Sequence, residues 1–516
     1  MKVLENNFKL NFKNNSFNFY NASDGIIPFI ISEILQNKKK IVIALSDNKY
    51  LKPFAKTLSA ITGINNILIF PSWDCFPYSD VSPSNYNINL RFKVLTEILF
   101  QKNDYKIIIT NFKNLTMLLP NKGEVISNIF YLEKNKEYNL KDTINTLSSR
   151  GYNHVNLVLE PNEYAIRGGI IDIWPVGEQA PVRLDFFGDT LESIKLFDPM
   201  SQISKKEKHS ISIFQNIEPP LSDTAKNDFI SNYRNYFGPS SNKDLFIHQL
   251  KEDKKLDGIE HWMPLFYKKK FISFFDFFNP EYLIFEHNLL NELEIFYKET
   301  IDAYSEKKEL ASTQIESINQ PIKPELFYLD QSLLSKQLNL IKKIEFNKFI
   351  SQKSNNYDLK ATDNIEKDIK VNSDEQLFRI LQSIVLKRTK KKIIFVADNE
   401  KNKEKLIFYI KNLFKNEEFI LRTNKSNFTE CFDDQEIVDI FIYPLDKGFE
   451  NNFIKIISFY EIFKVRKTIQ SRKFKNNINI SDINIYDYIV HNDHGIGKYL
   501  GLKAILIDNL PHDCMV

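Results

Sequence analysis

The sequence predicts a multidomain α/β protein, and two observations support that prediction. Short apolar runs at Ile41–Leu45, Ile67–Phe70 and Ile107–Thr110 have the length and composition of buried strands. Amphipathic stretches at Ile26–Leu35 and Leu90–Leu99 separate these runs and are typical of helices. Buried strands that alternate with helices indicate a largely parallel sheet. A chain of 516 residues has room for several domains of this kind.

The composition is that of a soluble protein with reduced cysteines. Hydrophobic residues make up 43% of the chain and charged residues 26%, and the net charge is +3. That charge neither requires nor excludes a nucleic-acid partner. Cys75, Cys431 and Cys514 lie far apart without metal-ligand spacing, so we expect no metal and a cytoplasmic location. We also expect no membrane span, because no window approaches ~20 uncharged apolar residues.

Between residues 126 and 214 the sequence pattern changes to one typical of extended segments separated by turn residues. Turns are indicated at Gly168-Gly169 and at Gly188-Asp189. The segment Val182–Phe187 alternates with period two, so its side chains point to opposite faces of a strand. We therefore predict a small, strand-rich α+β domain inserted into the first α/β domain.

One face of this predicted strand is unusual. Val182, Leu184 and Phe186 form an ordinary core face, whereas Arg183, Asp185 and Phe187 share the opposite face. An aromatic residue beside an arginine on a solvent face is typical of a protein-binding hot spot. The alternative is that Arg183 pairs with a neighbouring Asp or Glu and that Phe187 packs under a loop.

The rest of the chain continues the α/β pattern. Helical texture returns from 215 to 345, and the polar stretch Ser351–Asn364 indicates a linker. A second α/β unit follows, with predicted strands at Lys392–Ala397, Val438–Tyr443 and Ile454–Phe459 and a helix at Glu404–Leu413. A basic helix over Glu461–Lys475 then leads to a new strand-rich region at Asp487.

The chemistry of a nucleotide site is missing from the sequence. No GxxxxGK[ST] motif occurs, and the stretch Asn21–Ile27, between an early segment and a helix, has one glycine and no lysine. A phosphate cradle needs a glycine-rich loop, a lysine and a hydroxyl for Mg²⁺. We therefore expect no cofactor and no ATP hydrolysis by this chain.

Four groups of motifs, in order, resemble the bacterial transcription-repair coupling factor family, Mfd. Phe70–Asp74 with Pro77-Tyr78, Ser82-Pro83 and Arg91 resembles the signature of its first domain. Glu163–Pro175 and Arg183–Asp189 resemble the module that Mfd shares with the excision-repair protein UvrB. Gly258–Trp262 with Pro264–Phe266 is similar to another family signature. Val490–Tyr499 with Gly501-Leu502 resembles the opening of the CarD-like domain that interacts with RNA polymerase.

The resemblance implies a domain order and a fold for each part. The first domain is expected to be a degenerate, helicase-like α/β domain of the P-loop type that has lost its nucleotide motifs. The predicted divisions are the first part of that domain (1–125), the inserted UvrA-binding domain (126–214), its second part (215–345), a linker (346–375), a small α/β domain (376–460), a basic helical linker (461–485) and the truncated start of a CarD-like β-barrel (486–516).

The resemblance also implies partners and site residues. In the family the inserted domain binds UvrA, and the family's contact residues map onto Arg167, Arg183 and Phe187. The adjacent glycines leave the direction of Arg167 open. The CarD-like end implies the β subunit of RNA polymerase as a second partner. We expect a monomeric, non-catalytic adaptor, with DNA bound mainly by a translocase motor that uses ATP and Mg²⁺ in the complete family and is missing here.

Two other functions remain open at this point. One is an excision-repair helicase resembling UvrB, against which the missing lysine-bearing loop argues. The other is a transcription regulator that acts through its CarD-like end alone. Because the chain stops within that predicted domain, we expect it to be a gene fragment or a truncated product.

Overall fold

The computed structural model describes most of the chain. The described residues are 16–35, 40–100, 105–175, 178, 180–215, 217–238, 245–252, 256–286, 288–313, 319–347, 356–359, 392–413, 420–422, 437–451, 454–463, 488–491, 495–498, 500–507 and 510–515. They fall into two compact units, Met1–Phe463 and Lys464–Val516. Among these residues, none of the helices combines the length and the apolar character that crossing a bilayer requires.

The strands of the first unit are short and numerous. In chain order they are β1 (Ser16–Tyr20), β2 (Ile41–Leu45), β3 (Ile67–Phe70), β4 (Ile107–Asn111), β5 (Leu118–Leu119), β6 (Phe130–Glu133), β7 (Asn153–His154), β8 (Glu163–Arg167), β9 (Ile170–Ile173), β10 (Val182–Phe187), β11 (Thr190–Phe197), β12 (Ser204–Lys208), β13 (Ser210–Ile213), β14 (Ile272–Ser273), β15 (Tyr282–Glu286), β16 (Lys342–Phe346), β17 (Asn356–Asp358), β18 (Lys392–Ala397), β19 (Ile420–Arg422), β20 (Ile437–Ile442), β21 (Phe449–Glu450) and β22 (Ile454–Ser458).

The helices of the first unit lie both outside and inside the insert. They are α1 (Ile27–Leu35), α2 (Asn48–Thr62), α3 (Asn85–Phe100), α4 (Lys122–Ser127), α5 (Leu140–Ser149), α6 (Asp223–Phe237), α7 (Leu245–Lys251), α8 (Phe274–Phe278), α9 (Leu289–Thr313) and α10 (Gln331–Leu340), followed by Glu400–Leu413 and Phe459–Phe463. In the described part of the chain, 3-10 helices lie at Phe112–Leu115, Ile259–Phe266 and Pro324–Leu326.

The first α/β sheet has seven parallel strands in the order β17-β1-β16-β15-β2-β4-β3. Every residue of β2 and β4 is buried, because apolar side chains cover both faces of these central strands. The prediction of a largely parallel sheet is therefore confirmed. Helix α2 shows how its elements are terminated: the Asp47 side chain accepts a hydrogen bond from the backbone N–H of Lys49, and Gly63 ends the helix with a positive φ of 70°.

One part of the predicted linker belongs to this sheet instead. Residues 356–358, inside the predicted linker 346–375, form β17 at its edge and pair with β1. The sequence there is polar, which suits an edge strand that faces water on its open side. A stretch poor in apolar residues is therefore compatible with a strand when it adds to a sheet that is already formed.

The insert is built on a six-stranded sheet in the order β12-β11-β10-β9-β8-β7. All its pairings are antiparallel except that of β7 with β8. One face packs on α5 and on the ribbon formed by β6 and β13, which are antiparallel to each other. The buried side chains of this core come from both ends of the segment: Leu132, Leu147, Tyr152, Tyr164, Ile171, Ile173, Val182, Leu184, Phe186, Leu191, Ile194, Ile211 and Ile213.

A second α/β sheet has the order β19-β20-β18-β22-β21, with β21 antiparallel to its neighbour and the other pairs parallel. The three strands predicted for this region are confirmed, with β20 and β22 ending one residue earlier than predicted. Lys392 and Asp439 form a buried ion pair across it, with 2.8 Å between nitrogen and oxygen.

The described residues of the second unit form two antiparallel hairpins. Strand β23 (Tyr488–His491) pairs with β24 (Gly495–Lys498), and β25 (Leu502–Ile507) pairs with β26 (Leu510–Met515). Residues 464–487, which include most of the predicted basic helix, lie outside the described residues. The strand-rich start predicted here is confirmed, and the β-barrel stays a prediction.

Candidate functional site

Strand β10 alternates as its sequence predicts. Val182, Leu184 and Phe186 are buried in the core of the insert, while Arg183 and Asp185 are half-buried and Phe187 is exposed. The face that carries the three predicted hot-spot residues is therefore the face turned away from the core of the insert.

Two hairpin turns meet at one end of this face. Gly168-Gly169 joins β8 to β9, and Gly188-Asp189 joins β10 to β11; Gly168 and Gly188 both have positive φ near 60°. The backbone N–H of Phe186 donates to the carbonyl of Gly169 across 2.9 Å. A Cβ on Gly169 would lie 2.5 Å from the Phe186 carbonyl oxygen, so only glycine allows the first turn to close on β10.

Phe187 lies at the end of β10, opposite Thr190 and directly before the second turn. Its side chain is 77% exposed. The alternative in which Phe187 packs under a loop is therefore wrong. A large apolar side chain held by a short turn and left open to water is a candidate binding anchor.

Arg167 occupies the corresponding end of β8 and is also exposed. The register pairs Arg167 with Ile170, and Ile170 with Asp185 on the next strand, which puts all three on the face of Phe187. Its guanidinium donates one hydrogen bond, to the Asn156 carbonyl at 3.2 Å. The direction that the sequence leaves open is thus fixed by the pairing of β8 with β9.

Arg183 lies four residues before Phe187, about 13 Å along the strand at ~3.3 Å per residue. Its Nε and Nη2 atoms donate to the two carboxylate oxygens of Asp172 at 2.7 and 2.9 Å. A third bond goes from Nη1 to the Gln202 carbonyl at 3.3 Å, and the guanidinium stacks 4.7 Å from the Phe197 ring centre. The alternative of a pair with a neighbouring acid is therefore present, and the Arg183 side chain still remains 23% exposed.

Asp172 is the residue of this face whose partner the sequence does not reveal. Its place in the apolar run Ile170–Trp174 predicts a hydrogen-bonded strand residue, and its bonds to Arg183 confirm that interpretation. The sequence indicates such a bond by placing a carboxylate between Ile171 and Ile173 in an apolar strand, because a buried charge requires a partner. The hydrogen bond to Asp172 raises the pKa of Arg183, so the guanidinium stays charged.

The loop after β1 occupies the position of a phosphate cradle, before α1. A Cβ on Gly25 would lie 2.4 Å from the Gly448 carbonyl oxygen, so the segment before β21 closes directly on the loop. Lys447 forms an ion pair with Asp24, and the rings of Phe29 and Phe449 pack edge to face at 5.6 Å. The second α/β sheet thus covers the place where a nucleotide phosphate would approach.

A cavity of about 480 Å³ remains beside this loop, at the carboxyl ends of β2 and β15. Its polar lining includes Asp24, Glu286, Asp446 and Lys447, so carboxylates outnumber cations there. Such a lining disfavours the triphosphate of a nucleotide. Among the described residues no group of three or more His, Cys, Asp or Glu side chains could hold a metal ion.

Two of the motifs noted in the first domain pack against each other. Tyr78 donates its backbone N–H to His261 Nδ1 at 3.3 Å, and Ser82 donates its hydroxyl to Glu260 at 2.8 Å. The Trp73 ring packs edge to face on His261. These buried contacts give both motifs a role in packing the first domain.

A buried charge links this domain to the end of the insert. Arg91 is fully buried and bonds Glu218 at 3.3 Å, the Pro71 carbonyl at 3.0 Å and Asn114 at 2.8 Å. Trp73 donates its ring N–H to the other oxygen of Glu218 at 2.7 Å. Glu218 follows β13, so the chain is held tightly at the point where it returns from the insert.

Two protein-family models match this chain. The one described as the UvrB interaction domain matches residues 130–218, which include the face around Phe187. The one described as the CarD-like/TRCF RID domain matches residues 483–516.

Curated relatives are named transcription-repair-coupling factor. The relative from Haemophilus influenzae is 25% identical over 94% of this chain and 42% of its own length. That from Rickettsia conorii is 26% identical with the same coverage, and that from Escherichia coli is 28% identical over 42% of this chain and 19% of its own. The chain thus spans less than half of the relatives it matches. A solved chain titled XPD_Helicase has 9% identity and a TM-score of 0.21, too low to bear on the fold.

Proposed function

We propose, from its resemblance to the N-terminal part of the transcription-repair-coupling factors, that this chain is a recruitment protein of transcription-coupled nucleotide excision repair. It binds UvrA through the open face of the inserted sheet. The observation that supports this most directly is Phe187, a strongly exposed aromatic on the same face as Arg167, in the segment that matches the UvrB interaction domain.

The chemistry of the face suits a protein partner. Arg167, Ile170 and Asp185 stand side by side on three adjacent strands, roughly 5 Å apart from one to the next. Phe187 lies next to this row and supplies the apolar area. A central aromatic with flanking charges of both signs gives affinity through the ring and orientation through the charges.

The CarD-like segment supplies the second half of the proposal. Residues 486–516 bind the β subunit of RNA polymerase, and the inserted domain at 126–214 binds UvrA, so the chain joins repair to a stalled polymerase in the cytoplasm. It acts as a monomer and without catalysis, since nucleotide and DNA are handled by the motor of the complete family. The match to the CarD-like/TRCF RID domain supports the polymerase partner.

The proposal is tested by measuring the affinity of purified UvrA for the chain and for Phe187→Ala. We expect the substitution to cost about 2 kcal/mol or more, roughly a 30-fold increase in Kd, which is the magnitude of an aromatic hot spot. The melting temperature should not change, because Phe187 is 77% exposed.

Tyr131→Ala is the matched control, since Tyr131 is an aromatic of the same insert that is 50% exposed on β6. It should bind UvrA like the unsubstituted chain. Equal affinities for the Phe187 variant and the unsubstituted chain would contradict the assignment of this face.

A further inference from the structure

We propose that Asp172 is a positioning residue for partner binding: it holds the guanidinium of Arg183 in the orientation that a partner carboxylate meets. This inference rests on the proposed function, because it concerns how the same face is prepared for its partner. Asp172 itself is 2% exposed, so it acts through Arg183.

The contact between the two side chains is bidentate. Two parallel hydrogen bonds, 2.7 and 2.9 Å long, join the Nε and Nη2 atoms of Arg183 to the two oxygens of Asp172. Planar pairs of this kind fix orientation as well as position. Their strands are neighbours, and Arg183 stands directly opposite Asp172 in the register, so the backbone holds the pair in place.

Two further contacts restrict the guanidinium from other sides. The Phe197 ring lies 4.7 Å from it, and the Gln202 carbonyl accepts a bond from Nη1 at 3.3 Å. Three N–H groups are used in these bonds, and the remaining ones belong to a side chain that is 23% exposed. Arg183 therefore offers the solvent only part of its donors, in one fixed direction.

Such fixing matters because a free arginine has many rotamers and loses them when it binds. A side chain that is already ordered pays less of this entropic cost on association. The charge of Asp172 also offsets that of Arg183, so an approaching carboxylate is recognised by directed N–H groups more than by net positive charge. Removing Asp172 should therefore weaken binding although it makes the face more positive.

The test measures the affinity of UvrA for Asp172→Asn, Arg183→Ala and the double variant of the full chain. We expect D172N to weaken binding about tenfold, the scale of one lost charge-assisted contact. In the Arg183→Ala background, D172N should leave the affinity unchanged, because Asp172 acts through Arg183. In that background it should raise the melting temperature, since it removes a buried carboxylate without a partner. A merely structural role would not move affinity and stability in these different ways.

Glu192→Gln is the control, because it removes an exposed carboxylate from β11 of the same sheet. If D172N unfolds at the assay temperature, the affinities of all variants are measured at a lower temperature at which each of them is folded.

The outcomes separate the two proposals. Unchanged affinity of D172N, together with a weakened Phe187→Ala variant, would overturn the positioning role and leave the proposed function standing. Tighter binding by D172N would overturn it too, because it would mean that Asp172 competes with the partner for Arg183. No binding of UvrA by the unsubstituted chain would overturn the proposed function and this inference with it.

Discussion

Glu260 shows at the residue scale how burial changes an ordinary side chain. It lies in the 3-10 helix at Ile259–Phe266, is 5% exposed, and accepts a hydrogen bond from Ser82 at 2.8 Å. Its pKa is raised from 4.5 to about 7, mainly by burial and in smaller part by the nearby Glu218 and Asp257, against hydrogen bonds from its own backbone N–H and from Ser82. A carboxylate that resists ionisation in the folded state makes stability depend on pH.

The direction of that dependence follows from proton binding. The folded state keeps the Glu260 proton up to about pH 7, whereas the unfolded state loses it near 4.5. Burial of Glu260 therefore costs no stability below pH 4.5. The free energy of unfolding falls as the pH rises from 4.5 to about 7, and it stays at the lower value above that pH. We expect Glu260→Gln to raise the free energy of unfolding by about 3 kcal/mol at pH 8 and by almost nothing at pH 4.5.

Urea unfolding of the unsubstituted protein and of the Glu260→Gln variant, from pH 4.5 to pH 8, measures this difference in the free energy of unfolding. Glu325→Gln, an exposed glutamate, serves as the control and should show no such trend. A gain for Glu260→Gln that is the same at pH 4.5 and pH 8 would contradict the explanation.

Some features of the candidate site can be predicted from the local sequence, and others depend on how the strands pair. The alternation of β10 is local, so it predicts correctly that Arg183 and Phe187 share a face. The bond between Arg183 and Asp172 depends on the register of β9 against β10, which local periodicity does not encode. The exposure of Phe187 likewise depends on how short the following turn is.

At the element scale, the loop between β1 and α1 is fixed by packing. The predicted strands and helices around it are confirmed because apolar runs and amphipathic periods are strong local signals. The contact of this loop with residues 447–448 joins positions far apart in the chain, so only the folded structure reveals it. Strand β17 was missed for a related reason, since a polar edge strand resembles a linker in composition.

Gly25→Ala tests this contact. A Cβ there would lie 2.4 and 2.5 Å from the carbonyl oxygens of Gly448 and Lys447, and backbone atoms cannot move aside cheaply. We expect a loss of about 1–3 kcal/mol in stability, the range for overpacked sites. Hydrogen exchange should also become faster in residues 443–451.

Gly123→Ala is a suitable comparison, because the nearest atoms to its Cβ are 3.6 Å away. It should change neither stability nor exchange in that segment. If Gly25→Ala were as stable as the unsubstituted chain, the close packing of the two sheets here would be contradicted.

At the scale of the whole molecule, the similarity to the relatives extends over 94% of this chain but over less than half of their own length. The first unit contains one parallel and one largely parallel sheet that share an apolar core, with the insert extending from the first. The resemblance to the family can be recognised from the sequence because each motif is a run of neighbouring residues. The packing of the second sheet onto the first depends on contacts between Phe29 and Phe449 and others like them, which have no contiguous signature.

We expect this chain to show no ATP hydrolysis, with or without DNA. The loop before α1 has one glycine, which packs against Gly448, and the one lysine of the adjoining cavity pairs with Asp24. Phosphate release from ATP, with single- and double-stranded DNA added, measures this. Activity that disappears in Lys447→Ala would favour the helicase alternative, whereas activity unaffected by Lys447→Ala would come from a contaminant.

The paired strands β6 and β13 have a mechanical consequence. The chain leaves the first domain on one of them and returns on the other, bonded along their length, and Glu218 then ties the return to Arg91 and Trp73. A domain joined by a single flexible linker can rotate freely, so little of a force applied to it reaches the rest of the protein. A body on a bonded two-strand stem resists twisting and transmits a load. A force applied at the hairpin turns beside Phe187 would therefore be transmitted through this stem into the interior of the first domain.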